Sequence, residues 1–242
     1  VLYVGHSQGL SELHTVGIPS TAVLGWSKFY STTGVTSLMN GTPRAMFMMN
    51  DASGDITDAT IRNNVLEAKG TPTYRVNGVH DFGMSFNGTS QYACSDTNND
   101  ATCDQDTDFD AGLLGFTIEL WFKHSTSISG IDTLIDHSFT TVPAASVGGY
   151  RVWMDASGLI QARIDDDATF GDEDPLSSPA GKSYADGQWH HLVFERVSTA
   201  YASPNAPMAV GIYLYIDGVR VASANTIAAT GTLTAASLPL AV

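Results

Sequence analysis

Six aspartates share one short segment of the chain, residues 96–110. They are Asp96, Asp100, Asp104, Asp106, Asp108 and Asp110. A hard cation such as calcium gathers six to eight oxygen ligands, and alternating acidic side chains in one loop are a common way to supply them. The segment lacks the glycine and the final glutamate of an EF-hand loop. The spacing indicates a calcium site of another kind, and the alternative is a solvated acidic loop without an ion.

A second acidic cluster follows at residues 165–174. Its members are Asp165, Asp166, Asp167, Asp172, Glu173 and Asp174. Like charges this close repel each other unless cations or water screen them. Asp165 and Asp167 are the candidate metal ligands of this second cluster.

The two cysteines of the chain, Cys94 and Cys103, flank a polar loop. Two thiolates cannot complete a tetrahedral zinc site without further ligands, and the loop between them contains no histidine. We therefore expect a local disulfide, which would constrain the acidic loop covalently. A disulfide implies an oxidising, extracytoplasmic compartment.

Two sequence patterns are typical of catalytic sites, but neither lies in the structural context that catalysis requires. The G-x-S-x-G pattern around Ser7 is typical of a hydrolase nucleophile when a strand precedes it and a helix follows. Here Pro19 interrupts the segment after the serine, so we expect a turn between two strands. His190 and His191 are neighbours in a predicted strand, so their side chains point to opposite faces and cannot share one centre. We assign no catalytic residue.

The amino-acid composition excludes several classes of binding partner. The chain of 242 residues has 11 basic and 25 acidic side chains, for a net charge of −14. Nucleic acids and anionic membranes would repel such a surface. The longest uncharged stretch, residues 221–242, is rich in threonine, serine, glycine and proline, which excludes it as a membrane span.

Short alternating segments predict an all-β fold. In residues 116–123 the apolar side chains Phe116, Ile118, Leu120 and Phe122 share one face. Residues 150–155 and 159–164 form a predicted hairpin, and residues 210–217 and 219–224 another. Such hairpins build a two-sheet antiparallel sandwich, a jelly roll.

The first 43 residues differ in composition from the rest. They contain few charged side chains and predict strand, turn and strand near the start of the chain. We interpret residues 1–43 as a short β segment that is either a linker or the end of a preceding β-rich, propeller-like unit. The jelly roll is expected to occupy residues 44–242.

Five ordered segments resemble the laminin G-like modules of the concanavalin A-like lectin/glucanase superfamily, as found in large bacterial surface proteins. They are residues 46–58, residues 81–92, F-T-I-E-L-W-F at 116–122, W-H-H at 189–191 and L-Y-I-D-G at 214–218. The resemblance implies a jelly roll with calcium at a loop edge, which supports the second acidic cluster as well. It leaves open whether residues outside this chain complete the sandwich at its C-terminal end. The E-x-D-x-x-E strand of related glucanases is missing.

From these observations we expect a non-catalytic, extracellular or cell-surface module for recognition and adhesion. Its expected partners are a glycan or an extracellular protein, together with copies of itself or neighbouring domains of the same polypeptide. The alternatives are a structural unit of a long surface protein or filament, and an accessory module of a larger carbohydrate-active enzyme. Four aromatic residues lie opposite the apolar runs and either stack on sugars or pack under loops: Trp121, Trp153, Tyr213 and Tyr215.

Overall fold

The computed structural model of the protein describes residues 2–6, 9–13, 27–31, 43–79, 81–138, 148–166, 174–197, 211–230, 233 and 239–242. The strands among them are β1 (Leu2–His6), β2 (Gly9–Leu13), β3 (Ser27–Ser31), β4 (Ala45–Phe47), β5 (Ile56–Thr57), β6 (Val65–Lys69), β7 (Thr73–Asn77), β8 (Phe82–Ser85), β9 (Tyr92–Ser95), β10 (Phe116–Lys123), β11 (Asp132–His137), β12 (Gly149–Met154), β13 (Ile160–Asp165), β14 (Asp174–Ser177), β15 (Trp189–Val197), β16 (Gly211–Ile216) and β17 (Val219–Ala224). One 3₁₀ turn spans Thr107–Phe109. The described residues include no helix that could span a membrane.

The first large sheet has six strands in the order β17-β16-β15-β10-β3-β4. All of its pairings are antiparallel. Its central strand β10 follows the predicted alternation, since Phe116, Ile118, Leu120 and Phe122 are buried while Lys123 is exposed. The hairpin β16–β17 turns at Asp217 and Gly218, as its sequence predicts.

The second large sheet is assembled around the last residues of the chain. Strands β5-β6-β9 form one part and strands β11-β12-β13-β14 the other. Ala241 bridges Cys94 of β9 on one side and Asp136 of β11 on the other. The backbone N–H and C=O groups of Ala241 bond those of Asp136 at 2.8 Å, and Val242 exchanges bonds of 2.8 and 2.9 Å with Ala93. Residues 239–242, which we call the C-terminal segment, therefore join both parts into one sheet.

The core lies between the two large sheets. The ring of Phe116 packs 5.0 Å from Tyr150 of β12 and 5.5 Å from Phe194 of β15, measured between centroids. Burial of one such side chain contributes roughly 1.5–3 kcal/mol to stability. Leu240 of the C-terminal segment belongs to the same core cluster.

The structure adds two details to the sequence-based expectation, one at each end of the chain. The C-terminal position that was open to residues from outside the chain is filled by the C-terminal segment, because its backbone groups match the free edges of β9 and β11. At the other end, β3 pairs with both β10 and β4. The predicted boundary after residue 43 thus falls between two hydrogen-bonded strands of one sheet. The division into two units itself stays a prediction, as does the propeller-like character of the antiparallel hairpin β1–β2.

The C-terminal segment gives the first test. Ala241→Pro removes the N–H that bonds the Asp136 carbonyl and leaves that acceptor unpaired, and we expect a loss of about 1–3 kcal/mol in the free energy of unfolding. Ala241→Gly keeps the N–H and should lose only about 0.5–1 kcal/mol. Urea denaturation of both variants measures the difference, and equal stabilities would contradict the pairing.

Candidate functional site

The acidic loop begins where β9 ends and is closed by a disulfide. Cys94 and Cys103 are bonded, with their Cα atoms 5.5 Å apart, which confirms the predicted disulfide. Next to it, the Asp104 N–H donates to the Ser95 carbonyl at 2.7 Å, and the Ser95 hydroxyl donates to the Asp104 carbonyl at 2.6 Å. The two ends of residues 95–104 are therefore fixed covalently and by hydrogen bonds.

Asp96 organises the inside of this loop. Its side chain is buried, and its carboxylate accepts backbone N–H bonds from Asn98, Asn99, Asp100 and Ala101 at 2.7 to 3.3 Å. Four N–H donors around one carboxylate hold the backbone in a tight turn. In this turn Ala101 has a φ of 66°, in the left-handed region that alanine rarely occupies. The carboxylate is therefore a structural centre of the loop.

Three of the six aspartates converge. One carboxylate oxygen from each of Asp96, Asp100 and Asp104 lies within 4.8 Å of the other two. This donor set fits a hard cation, because it is made only of oxygens and supplies three of the six to eight ligands that calcium takes. The base of the loop is held by Lys69, whose ammonium donates to the Ala101 carbonyl at 2.7 Å and pairs with Glu67 at 2.5 Å.

The other three aspartates of the segment have different partners. Asp106 caps the 3₁₀ turn by accepting from the Asp108 N–H at 2.9 Å, and burial raises its pKa. Asp108 accepts from Arg62 at 2.8 Å and from Arg44 at 3.1 Å. Asp110 lies 3.0 Å from Nε2 of the buried His137. The structure therefore divides the predicted six-residue site, and only its first half brings carboxylates together.

Two aspartates of the second acidic cluster, Asp166 and Asp174, interact electrostatically with Arg196. Asp165 and Asp166 are buried, and Asp174 accepts the backbone N–H of Ala229 at 2.7 Å. Burial lowers the pKa of Arg196, while the charges of Asp166 and Asp174 oppose that shift. Asp167, Asp172 and Glu173 lie outside the described residues. Within the described part, the carboxylates here do not converge as those of the first loop do.

The candidate catalytic histidines have structural partners on opposite faces. His190 is buried, and its ring nitrogens lie 3.1 Å from Asp186 and 2.9 Å from Asp217. His191 faces the other way, with Nε2 3.0 Å from Glu119. The predicted separation of the pair is therefore observed. Ser7 lies outside the described residues, but the strands around it, β1 and β2, pair antiparallel, which is unlike the strand-to-helix turn of a hydrolase.

The four candidate aromatics divide between the two sheets. Tyr213 is buried and donates its hydroxyl to Asn225 at 3.1 Å, so it packs within the first sheet. The ring of Trp121 packs against that of His191 at an interplanar angle of 37°, with centroids 4.9 Å apart, and Tyr215 is half-buried. Trp153 is half-buried on the outer face of the second sheet, where the guanidinium of Arg151 lies 5.2 Å from its ring centroid.

The sequence analysis missed the polar residues around Trp153. Arg151, Trp153 and Asp155 alternate with buried residues in and after β12, so all three point to the same outer face. The signal was present in the same alternation that identified the strand. Only Trp153 of this face was identified from the sequence.

One carboxyl group on the outer face of the first sheet has an unusual environment. Glu195 lies opposite Thr117 of β10 and Tyr213 of β16. Desolvation by this surrounding raises its pKa from 4.5 to about 7.

A laminin G-type family model, described as the concanavalin A-like lectin/glucanases superfamily, matches residues 87–241, more than half of the chain. No curated protein sequence matches the chain.

A solved structure with a TM-score of 0.50 supports the fold, and two others align more weakly. The crystal structure of an HCR/D mutant superposes with a TM-score of 0.50 at 13% identity, over 80% of this chain and 42% of that one. This chain thus spans less than half of that chain's length. The CBM40 module of the Ruminococcus gnavus IT-sialidase, bound to alpha2,6 sialyllactose, aligns at 13% identity with a TM-score of 0.33, over 52% of this chain and 73% of that one. Domains LG4-5 of the mouse laminin alpha1 chain align at 12% identity with a TM-score of 0.27, over 92% and 72%. The predicted antiparallel jelly roll is confirmed.

Glu195 makes stability depend on pH. The folded state holds its proton more tightly than the unfolded chain, so stability falls as pH rises from about 4.5 to about 7 and stays lower above that. We expect Glu195→Gln to raise the free energy of unfolding at pH 8 by about 2–3 kcal/mol and to change it little at pH 4. Urea denaturation of both proteins at the two pH values measures this. Parallel pH profiles would contradict the assignment.

Proposed function

The chain belongs to the concanavalin A-like lectin/glucanases superfamily, and from this premise we propose that it is a non-catalytic recognition module that binds a glycan or a protein with the help of calcium. The observation that carries the proposal is the convergence of Asp96, Asp100 and Asp104 in a loop closed by a disulfide.

The loop is built in a way that favours ion binding. Its ends are fixed by the disulfide and by the bonds between Ser95 and Asp104, so little conformational entropy remains to be lost when an ion orders it. The Asp96 carboxylate is held in place by four backbone N–H donors. The ligands of this site are Asp96, Asp100 and Asp104.

Calcium would supply positive charge and coordination positions for oxygen atoms of a ligand. The surrounding protein carries a net charge of −14, so three carboxylates this close repel each other in its field. A bound divalent cation removes most of that repulsion. A calcium ion held by three aspartates has coordination positions left for oxygen atoms of a glycan. The ion and the glycan would then bind at the same edge of the sheet.

The setting that we propose is extracellular or at the cell surface. The disulfide supports it, since such bonds persist in oxidising compartments. The alternative of a structural unit of a long surface protein or filament rested on the uncharged termini and on an open C-terminal position in the sandwich. The C-terminal segment lies in that position, so the uncharged termini are the observation that still favours this alternative. An accessory role in a larger carbohydrate-active enzyme is compatible with the same binding module.

Isothermal titration with calcium tests the ion site. We expect Asp100→Asn and Asp104→Asn each to weaken calcium binding at least tenfold, because each removes a charged ligand. Asp108→Asn is the matched control in the same segment. Its partners are Arg44 and Arg62, so calcium affinity should stay within twofold. Equal effects of all three substitutions would contradict the three-residue site.

A screen against arrayed glycans and extracellular proteins tests the recognition function. We expect at least one ligand class to bind in calcium and to lose at least tenfold in affinity when a chelator is added. The bound glycan should be recovered chemically unchanged. Indifference to every ligand in both buffers would refute the function, and cleavage of a bound glycan would refute its non-catalytic character.

A further inference from the structure

The disulfide of the acidic loop lies beside a carboxylate that comes from another part of the chain. Glu67 of β6 is the direct cross-strand partner of Cys94 of β9, so the two side chains share one face of the sheet. Cys103 joins them because the loop folds back to form the disulfide. One carboxylate oxygen of Glu67 and the two sulfur atoms all lie within 4.8 Å of one another. The fold therefore groups three side chains that can bind a metal ion.

These three side chains suit zinc once the disulfide is reduced. Zinc binds thiolate sulfur and carboxylate oxygen in tetrahedral sites, and two thiolates on one such ion are about 3.8 Å apart at the usual Zn–S length of about 2.3 Å. The Cα atoms of Cys94 and Cys103 are 5.5 Å apart, so rotation of the side chains alone can separate the sulfurs to that distance. Glu67 supplies the third ligand that the loop itself lacks. The fourth position is left for water.

The charges around the three side chains balance when a zinc ion is added. The ammonium of Lys69 lies 2.5 Å from one oxygen of the Glu67 carboxylate and donates to the Ala101 carbonyl at 2.7 Å. A carboxylate has two oxygens, so one can stay with Lys69 while the other binds the metal. Two thiolates and one carboxylate carry three negative charges, and one zinc ion and one ammonium carry three positive charges. Ionic groups that are removed from water need such compensation.

The burial of the group leaves one side open. Glu67 and Cys94 are buried, whereas Cys103 is half-buried, so a reductant or a metal ion has access from the side of Cys103. Asp96 is a further buried carboxylate of the loop, and its charge also acts on Lys69. It has its own compensation in four backbone N–H donors. The balance of charge at the sulfurs therefore stands with Asp96 included.

We propose that the reduced chain binds one zinc ion through Cys94, Cys103 and Glu67, and that the zinc site and the disulfide are alternative states of the same residues. The two thiols lose their protons to solvent when the ion binds. A small disulfide such as oxidised glutathione then takes two electrons from the thiolates, and the Cys94–Cys103 bond forms as the bond of the oxidant breaks. The oxidant becomes two thiols, which take their protons from solvent, and the zinc ion leaves because its thiolate ligands are gone.

The zinc state would precede the disulfide in the life of the chain. Thiols stay reduced in a reducing compartment, and a disulfide forms after transfer to an oxidising one. Zinc would hold β6, β9 and the loop together until then. Such a role is separate from calcium binding, because Asp96, Asp100 and Asp104 offer only the oxygen ligands that suit a hard cation, whereas thiolates select zinc.

The test uses the full chain, reduced with a phosphine and transferred to oxygen-free buffer that contains calcium. Cobalt(II) is titrated first as a spectroscopic probe, and zinc is then added. We expect one equivalent of cobalt to produce thiolate-to-metal charge-transfer absorption and the visible bands of a tetrahedral ion, and an equal amount of zinc to remove both. At about a hundredfold excess over its dissociation constant, zinc should raise the melting temperature of the reduced chain by about 5 °C or more. The oxidised chain should not respond.

Substitutions locate the site. Cys94→Ser and Cys103→Ser should each weaken zinc binding about a hundredfold or more, and Glu67→Gln about tenfold or more, because each removes a ligand. Asp100→Asn is the matched control in the same loop, and its zinc affinity should stay within about twofold of the parent protein. Equal zinc affinity in the parent protein and the two cysteine variants would overturn the site, and so would an unchanged affinity in Glu67→Gln.

Folding and exchange complete the test. If the reduced chain unfolds without metal, zinc should restore its native circular dichroism, and failure to do so would overturn the proposal. Oxidised glutathione should release one zinc ion for each disulfide formed, as measured with a chromophoric chelator. Zinc that stays bound after the disulfide has formed would contradict the exchange of the two states.

Discussion

The hydrogen bonds of the C-terminal segment are the interaction on which the second sheet depends. Residues 239–242 lie between β9 and β11 and bond to both, so they connect strands that are otherwise in separate sheets. The acidic loop begins at the end of β9, and β11 is the edge strand of the other part of the sheet. The position of the acidic loop relative to strands β11–β14 is therefore set by a few residues at the end of the sequence. A buried Leu240 fixes the same segment to the core.

The parts of the fold that depend on local sequence could be predicted. Strand β10 and the hairpins β12–β13 and β16–β17 follow from alternation and turn residues, and the disulfide follows from two cysteines in one loop. The pairing of β3 with β10 and the insertion of the C-terminal segment could not be predicted. Each of these short strands finds its place through partners far away in the sequence, and a few residues carry too little pattern to identify those partners.

The candidate site shows the same division. The sequence predicted an acidic loop, and the structure brings Asp96, Asp100 and Asp104 together. It could not reveal that Asp108 and Asp110 have other partners, because these come from distant segments, Arg44 and Arg62 in one case and His137 in the other. The burial of Asp165 and Asp166 likewise depends on tertiary packing. Charge in a sequence indicates where ions are possible, and only the fold shows which charges are already balanced.

The central claim is that the disulfide-closed loop is a calcium site, and backbone NMR tests it most directly. In a ¹H–¹⁵N titration with calcium, we predict large and saturable shifts for the amides of Asn98, Asn99, Asp100 and Ala101, which surround the Asp96 carboxylate. The amides of Asp165 and Asp166 should change little. Unchanged signals throughout residues 96–104, or shifts confined to the second acidic cluster, would contradict the claim.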